Sequence, residues 1–514
     1  MFLFTDQLYK LIGKERFEAA ARRHGARTNQ PETMAARLGD DRQIKPGGAE
    51  SDPESIALDP GSLGSIDLAE KADELGIKYF LVSYTPLNAD TRVSLIPKRA
   101  IADVQRSGCG VPAAMFFKAD GADPEMYLRP DARTLVQLPW KPEYAWLSSN
   151  LYMGGEPFKQ CPRAALIRQC ERAKKMGYIM KTGIEPEFLI LSKDGRQLGD
   201  LQDARQPMSL QEPLAMMRNS PLMTRISETM EQLGWEPYEI DHEATCCQYE
   251  INFGFVNCLT MADRHAFMKF MMKELAELEG LCVTFMPIPF PNLLCANGLH
   301  INLSLWDVAG GKNVFKDPSD GALGFSKIGY HFIGGLKEHA RASCALMCPT
   351  VNSYKRLNAG SWCPNTVSWG GNNRTVLLRV PASNRIEHRL ADGSCNPYLS
   401  QAAILAAGPV RVDPILANNP DEIRLSAKCV LKPKIIFLPD PGTRCDTLIS
   451  DFPEKLDTMP KNLLDAIRTL EKDEYMCAQL GPELVEGFSF LKNKEWDIYM
   501  SQISQWEMDY YFNC

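Results

Sequence analysis

The chain has 514 residues, of which 24% are charged and 45% hydrophobic, with a formal net charge of -7. This composition is typical of a globular protein and lacks the basic balance that nucleic-acid binding requires. No run of about 18 apolar residues occurs, so no membrane-spanning helix is predicted.

The amino-terminal segment and the cysteines predict a cytoplasmic protein. Asp6, Lys10 and Lys14 interrupt the first apolar positions, so a signal peptide is not predicted. The 16 cysteines are scattered and include no CxxC pair. This pattern favours small buried thiols over disulfides or a zinc site.

Composition divides the chain into three parts. Residues 1–65 combine an amphipathic helix with a polar segment rich in Gly, Pro, Asp and Ser, and we interpret them as an arm and linker. Residues 66–150 predict a small α+β domain, and residues 151–514 predict a larger one in which about the last 55 residues are mostly helical. The sequence therefore predicts an α+β protein. Long helices are predicted near 161–176, 260–279 and 326–347.

Acidic side chains occur within strand-like runs of the third part. Glu185 and Glu187 are two positions apart in KTGIEPEFLIL, so on a strand both carboxylates lie on one face. Taken alone, this pair is compatible with a solvated strand face. In a mostly apolar run, however, two adjacent carboxylates are costly unless a cation lies between them.

Other strand-like runs add to this chemistry. DHEATCCQYEIN contains Glu243 and Glu250, and CANGLHINLSLW places His300 at the start of a strand. SNRIEHRLAD contributes Glu387. Five carboxylates and one imidazole from four strands are typical of a multi-metal site, and they favour Mg²⁺ or Mn²⁺ over Zn²⁺.

Arginines accompany these carboxylates. Arg385 and Arg389 share a strand face with Glu387 by period-2 alternation. Taken singly, an arginine is more often a surface residue and a histidine more often structural. Divalent metals and arginines together are the groups that hold phosphates during phosphoryl transfer. The arginines assigned to the predicted site are Arg356, Arg374, Arg379 and Arg389.

Eight stretches match one family in order, from about residue 66 to the end of the chain. They are GIEPEF, HEATCCQYEI, TFMPIPF, NGLHINLSLW, NSYKRL, NNRTVLLRVP, NRIEHRLAD and NPYLSQAAILAAG. With them the chain resembles the glutamine synthetase superfamily, and LTMADRHAFMKF and LVQLPWKPEYAW are similar to its γ-glutamylmethylamide synthetase branch. The resemblance implies a β-grasp domain at 66–150 and a catalytic domain at 151–514 with a curved antiparallel sheet flanked by helices. It also implies a dodecamer of two stacked hexameric rings, with active sites between subunits.

The resemblance also implies a mechanism. The γ-carboxylate of L-glutamate attacks the terminal phosphate of ATP in the presence of Mg²⁺ or Mn²⁺, and an amine then displaces phosphate from γ-glutamyl phosphate. The implied metal ligands are Glu187, Glu243 and Glu250 near glutamate, and Glu185, His300 and Glu387 near the nucleotide phosphates. The implied catalytic arginines are Arg356, which would hold the glutamate carboxylate, and Arg374 and Arg389 at the transferred phosphoryl group.

The resemblance also implies residues that bind glutamate and ATP. Ala296 and Gly298 fall in the stretch that holds the amino group of glutamate, and Ala296 stands where relatives have glycine. Asn302 replaces the second histidine of the usual His-x-His. The implied ATP-binding residues are Arg374, Arg379, Asn302 and Ser304.

The amine pocket departs from that of members that use ammonia. Those members carry an aspartate after YT and a glutamate in the loop after SYKRL, where this chain has Pro86 and Trp362. A cation there would lose its counter-charge and most of its water, at a cost of several kcal/mol. Neutral aniline would instead bind apolar walls, and stacking on Trp362 would add about 0.5 to 1.5 kcal/mol. The sequence therefore favours a γ-glutamylanilide-forming ligase, like those of bacterial aniline degradation.

Two alternatives remain open at this point. One is a glutamine synthetase, or a ligase for ammonia, small alkylamines or polyamines, in which Asp90 or another carboxylate rebuilds the ammonium site. The other is a non-catalytic structural relative, which the complete set of metal positions disfavours because buried charge clusters have little structural use. The expected partners are L-glutamate, ATP, an amine and further copies of the chain, with neither nucleic acid nor membrane.

Overall fold

A computed structural model describes residues 66–112, 116–120, 122–205, 209–291, 293–309, 311–358, 363–411 and 457–514. These residues lie in one compact unit that spans Asp52–Cys514. The predicted arm at 1–65 and Trp362 lie outside the described residues. The domain boundaries predicted after residue 65 and after residue 150 stay predictions.

A mixed sheet of seven strands forms the amino-terminal part. The strands are β1 (Tyr79–Tyr84), β2 (Arg92–Pro97), β3 (Cys109–Val111), β4 (Met126–Pro130), β5 (Val136–Gln137), β6 (Tyr144–Met153) and β7 (Glu156–Pro157). Their order is β2-β1-β6-β4-β3, with β5 and β7 on β6, and β1 runs parallel to β6. Helix α1 (Leu68–Leu75) packs on α2 (Lys98–Ser107), which covers the sheet. Asp67 caps α1 by accepting from two backbone N–H groups.

A second sheet, of nine strands, carries the acidic motifs. The strands are β8 (Tyr178–Ser192), β9 (Pro237–His242), β10 (Gln248–Phe253), β11 (Val256–Asn257), β12 (Leu281–Thr284), β13 (Leu299–Asp307), β14 (Trp369–Gly370), β15 (Leu378–Ala382) and β16 (Arg385–His388). Their order is β14-β15-β16-β13-β8-β10-β9, with β11 and β12 also on β8. The pairs are antiparallel apart from β14 and β15, as predicted for the catalytic sheet.

Helices surround this sheet. They are α3 (Pro162–Lys175), α4 (Pro213–Gln232), α5 (Cys258–Leu278), α6 (Lys327–Glu338), α7 (Ala340–Met347), α8 (Ser353–Asn358), α9 (Pro397–Ala407), α10 (Leu463–Lys472), α11 (Glu474–Leu480), α12 (Pro482–Met500) and α13 (Gln505–Tyr511). Every residue of α9 is buried, as expected for a helix that is apolar on most sides and packs between α3, α5 and α7. In the described ranges, no helix is both long and apolar enough to cross a bilayer.

The predicted helix at 326–347 is wrong in one respect, because the structure divides it at His339. The imidazole Nδ1 lies 2.7 Å from Asp473 Oδ2, and the ring stacks on Tyr475 at 5.0 Å. His339 is thereby anchored to the segment that joins α10 and α11, and its ψ of 10° ends one helix before the next begins. The helices predicted near 161–176 and 260–279 are confirmed.

A buried ion-pair network connects the first sheet to the helices of the second. Arg163 on α3 donates to Asp131, which follows β4, at 2.9 Å and to Asp263 on α5 at 2.9 Å. Tyr398 on α9 donates to the same Asp263 carboxylate at 2.8 Å. Because Arg163 is only 3% exposed, this network connects the two sheets through largely desolvated contacts. Every cysteine of the described ranges is a free thiol, as predicted.

Candidate active site

Neighbouring strands of the second sheet bring the predicted acidic residues together. Glu187 on β8 lies directly opposite Glu250 on β10. Two positions earlier on β8, Glu185 lies opposite His300 on β13. β16 pairs with the other side of β13 and contributes Glu387. Directly opposed side chains share one face of a sheet, so the shared face predicted from period-2 alternation is confirmed.

Two overlapping groups of possible metal ligands result. Glu185, His300 and Glu387 form one, and Glu187, Glu250 and His300 the other, each with ligand atoms within 4.8 Å of one another. The Nδ1 atom of His300 lies 3.3 Å from Glu185 Oε2 and 3.6 Å from Glu387 Oε1. A set rich in carboxylate oxygens, with one imidazole, fits Mg²⁺ or Mn²⁺.

Glu243 lies in the loop after β9, near enough for its charge to act on Glu187 and Glu250, but it belongs to neither group of close ligand atoms. Its backbone N–H donates to the Gln248 carbonyl at 2.9 Å. Burial and the neighbouring carboxylates, Glu243 among them, raise the pKa of Glu187 to about 7 and that of Glu250 to about 9. A bound cation would relieve the repulsion that produces these shifts, so the residues present fit a divalent metal.

His300 has the protonation state that metal binding requires. Burial lowers the pKa of its imidazole well below the usual value, and the charge of Arg389 lowers it further. The ring is therefore neutral at physiological pH, and one of its nitrogens can donate its lone pair to a cation.

Each of three glutamates in the cluster accepts a hydrogen bond from a side-chain amide. The pairs are Asn302 Nδ2 to Glu185 Oε1 at 2.6 Å, Gln248 Nε2 to Glu187 Oε2 at 3.0 Å, and Asn252 Nδ2 to Glu250 Oε1 at 3.0 Å. Gln248 and Asn252 are not among the site residues predicted from the sequence. The alternation that places Glu250 on this face also places its neighbours at 248 and 252 there, and this signal was sufficient to find them.

Arginines lie beside the carboxylates of the cluster. Glu387 accepts from Arg379 Nη1 at 2.6 Å and from Arg389 Nη1. The Nε atom of Arg389 is buried and without a hydrogen-bond partner, which leaves a donor for an anion. Arg374 is exposed, and its charge opposes the rise in the pKa of Glu243. The structure thus places three of the predicted arginines around the carboxylates.

Gly298 separates the fourth arginine from the carboxylates. Arg356 on α8 is buried, and its guanidinium donates to the Leu390 carbonyl at 2.6 Å. The backbone N–H of Gly298 donates to Glu187 Oε2 at 2.8 Å. A Cβ atom at position 298 would lie 3.0 Å from Arg356 Nη2 and 3.1 Å from Glu187 Oε1. Glycine therefore keeps open the space between a cation and a carboxylate, which suits an amino acid ligand.

Of the remaining predicted residues, Ala296 and Ser304 lie in or next to β13, whereas Pro86 lies in a loop of the first sheet. Ala296 is buried two residues before Gly298, and Ser304 Oγ accepts from Trp306 Nε1 at 3.0 Å. Pro86 lies in the loop after β1, in the first sheet, and its carbonyl accepts from Asn396 Nδ2 at 2.8 Å. Among the described residues of this chain, Pro86 is thus not part of the metal-binding face.

The sequence matches the family model of the glutamine synthetase catalytic domain over residues 159–413 and 439–511. The chain belongs to the glutamine synthetase family. It is 41% identical over 454 residues to a glutamine synthetase of Rhizobium meliloti (strain 1021), covering 86% of this chain and 98% of the relative. It is 35% identical over 455 residues to a glutamate–methylamine ligase of Methyloversatilis universalis, covering 85% and 96%.

Solved structures agree with the family assignment. A structure of GmaS without ligand superposes with a TM-score of 0.77 at 41% sequence identity, covering 87% of this chain and all of that one. The glutamine synthetase fold predicted from the motifs is confirmed. As a member of the glutamine synthetase family, the protein is an ATP-dependent carbon–nitrogen ligase that joins glutamate to an amine.

Proposed function

We propose that the protein joins the γ-carboxylate of L-glutamate to a neutral aromatic amine, with aniline as the simplest case and γ-glutamylanilide as the product. The observation that carries this proposal is the double replacement at Pro86 and Trp362, where ammonia-using relatives have carboxylates. Aniline is a weak base and unprotonated at neutral pH, so it needs no carboxylate to remove a proton before it attacks. The role proposed for Trp362 rests on the sequence alone, because this residue lies outside the described residues.

The surroundings of Pro86 support this proposal. The nearest acidic residue after it is Asp90, whose side chain is 60% exposed and forms an ion pair with Arg92. The Ala89 N–H donates to the Pro86 carbonyl at 3.0 Å, which closes a turn between the two positions. Asp90 is therefore engaged elsewhere, and a shift of register that would bring it to position 86 would break both contacts.

The described residues suit both steps of the reaction, which are the formation of γ-glutamyl phosphate and its attack by the amine. We assign Arg356, Ala296 and Gly298 to glutamate binding, and Arg374, Arg379 and Arg389, with Asn302 and Ser304, to the ATP phosphates. Mg²⁺ or Mn²⁺ held by the acidic cluster would neutralise phosphate charge. The arginine cations orient the terminal phosphate in line with the γ-carboxylate and stabilise the charge on its oxygens. In the second step the amine nitrogen bonds to the carbonyl carbon of γ-glutamyl phosphate, the C–O bond to phosphate breaks, and the nitrogen loses one proton.

A ligase for small amines is the second candidate. The similarity to a glutamate–methylamine ligase, at 35% identity over 455 residues, favours it. Methylamine and ammonia are cations at neutral pH, so this function requires a proton acceptor that replaces the two absent carboxylates.

A panel of amines distinguishes the two candidates. Phosphate release would be followed with purified protein, L-glutamate, ATP and Mg²⁺, with aniline, methylamine, ammonium or a polyamine as the acceptor. We expect the highest kcat/KM for aniline. Turnover with ammonium or methylamine equal to or better than that with aniline would contradict the aromatic-amine proposal.

Two substitutions test the position that carries the proposal. Trp362→Glu restores a carboxylate and is expected to shift the ratio of kcat/KM values toward cationic amines. Trp362→Phe keeps an aromatic wall and serves as the matched control, with the wild-type order of amines retained. An unchanged order in Trp362→Glu would show that position 362 does not line the amine pocket.

The dodecamer implied by the family belongs to the same proposal, because the loop of Pro86 would then face the active site of a neighbouring copy. Mass photometry of the purified protein would give the assembly directly. A monomer that is fully active would contradict an active site shared between copies.

A further inference from the structure

The side-chain amide of Asn302 connects an arginine to a carboxylate of the metal-binding cluster. Its Nδ2 donates to Glu185 Oε1 at 2.6 Å, and its Oδ1 accepts from Arg385 Nε at 3.1 Å. A carboxylate only accepts and a guanidinium only donates, so a single orientation of the amide satisfies both partners. The two contacts therefore fix the amide as a bridge.

The neighbouring strands leave room for this bridge. Asn302 on β13 lies opposite Gly183 on β8 on one side and Glu387 on β16 on the other. On the β8 side the opposing residue is a glycine, and a Cβ atom at Gly183 would meet only Phe255, at 3.4 Å, so no side chain projects from β8 directly opposite the amide. Asn302 can therefore reach diagonally to Glu185, two positions along β8.

The bridge divides the two oxygens of Glu185 between different partners. Oε1 is held by Asn302, whereas Oε2 lies 3.3 Å from His300 Nδ1, on the side of the metal-binding group. An uncharged amide donor orients the carboxylate without neutralising it, so the full negative charge stays available to a cation. Side chains that hold metal ligands in this way are needed for affinity although they never touch the metal.

We propose that Asn302 is a positioning residue, which orients Glu185 for a divalent cation and couples that orientation to Arg385. A direct contact to ATP, as the family resemblance implies at this position, would affect nucleotide binding alone. Positioning of Glu185 makes metal binding depend on Asn302 even without nucleotide. The inference concerns metal binding only, so its outcome is independent of which amine the enzyme uses.

The test is titration of the full-length, nucleotide-free protein with Mn²⁺, followed by calorimetry and by the electron paramagnetic resonance signal of free Mn²⁺. Asn302→Leu is expected to weaken Mn²⁺ binding by about 10- to 100-fold. Asn302→His can still donate to Glu185 and accept from Arg385, and it is expected to stay within a few-fold of wild type. Asn313→Leu is the matched control, because that amide donates to the Asn384 carbonyl at 2.7 Å, outside the cluster.

A double-mutant cycle with Arg385→Met tests the coupling. If the amide acts through its bond to Arg385, Asn302→Leu costs less Mn²⁺ affinity in the Arg385→Met background than in wild type. Thermal unfolding of each metal-free variant checks the fold, and Asn302→Ser replaces the leucine variant if the latter is unfolded. Wild-type Mn²⁺ affinity in Asn302→Leu or Asn302→Ser, or strictly additive losses in the cycle, would overturn the proposal.

Discussion

Glu187 and Glu250 lie directly opposite each other on β8 and β10, in the same group of close ligand atoms. Both carboxylates are largely withdrawn from water, and burial together with like charge raises the pKa of each. With both groups ionised, such an arrangement destabilises the metal-free fold, and the repulsion is relieved when a metal cation binds or a carboxylate is protonated. The pair therefore links stability to metal binding.

Removal of one carboxylate is expected to break that link. Glu250→Gln should reduce Mn²⁺ affinity at least tenfold and abolish most of the rise in Tm that Mn²⁺ gives the wild type, because a ligand stabilises only the state that binds it. Calorimetric unfolding with and without Mn²⁺ measures both effects. Glu277→Gln, on the exposed face of α5, serves as the control and should behave as wild type. A Glu250→Gln variant with an undiminished Mn²⁺-dependent rise would exclude Glu250 from the metal site.

Gly298 should be sensitive to the addition of a single methyl group. Gly298→Ala would place a carbon between Arg356 Nη2 and Glu187 Oε1, at 3.0 and 3.1 Å, in the space assigned to glutamate. We expect KM for glutamate to rise by about tenfold or more, with a smaller change in KM for ATP, since about 1.4 kcal/mol of lost binding corresponds to a factor of ten. Steady-state kinetics with each substrate varied separately measures the difference.

The chain contains a matched control for this substitution. Gly321 has no heavy atom within 4 Å of its potential Cβ, and Gly321→Ala should leave both constants unchanged. A Gly298→Ala variant with normal KM for glutamate would show that the ligand does not occupy this space.

The buried network around Arg163 is expected to dominate the stability of the contact between the two sheets. Arg163→Met leaves Asp131 and Asp263 buried without their shared cation, which costs about 3 to 5 kcal/mol of unfolding free energy. Urea denaturation measures the loss. Arg106→Met, which removes an exposed surface pair with Asp103, should change the unfolding free energy very little. A loss in Arg163→Met no larger than that of the control would show that the network adds nothing to stability.

The sequence predicts the site better than it predicts the contacts that hold the site. Alternation along a strand depends only on the local backbone, so Glu185 and Glu187 could be placed on one face without knowledge of any neighbour. Arg163, by contrast, looks in the sequence like an ordinary arginine at the start of a helix. Its partner Asp263 is 100 positions away, and only the packing of α3 on α5 brings the two together. The bridge at Asn302 likewise depends on the register of three strands, which the sequence does not specify.

Asp131 should make stability depend on pH in a defined window. Burial raises the pKa of its carboxyl group, but the charge of Arg163 and the hydrogen bond from Arg133 outweigh burial and lower it from 3.8 to about 2. The unfolded chain therefore takes up a proton at higher pH than the folded protein does. The stabilisation is fully present above the unfolded value of 3.8 and is lost as the pH falls through the folded value of about 2.

The variant Asp131→Asn isolates this contribution. Between pH 5 and pH 3 the wild type should lose about 1 kcal/mol more unfolding free energy than Asp131→Asn, because only the wild type protonates this carboxylate on unfolding. Urea titrations at several pH values across the window measure the two slopes, and other acidic residues cancel in the comparison. Asp497→Asn, which changes a carboxylate on the long helix α12, controls for the loss of one charge. Parallel pH dependences of the wild type and Asp131→Asn would mean that the carboxyl group titrates alike in both states, and that the arginines do not hold it ionised.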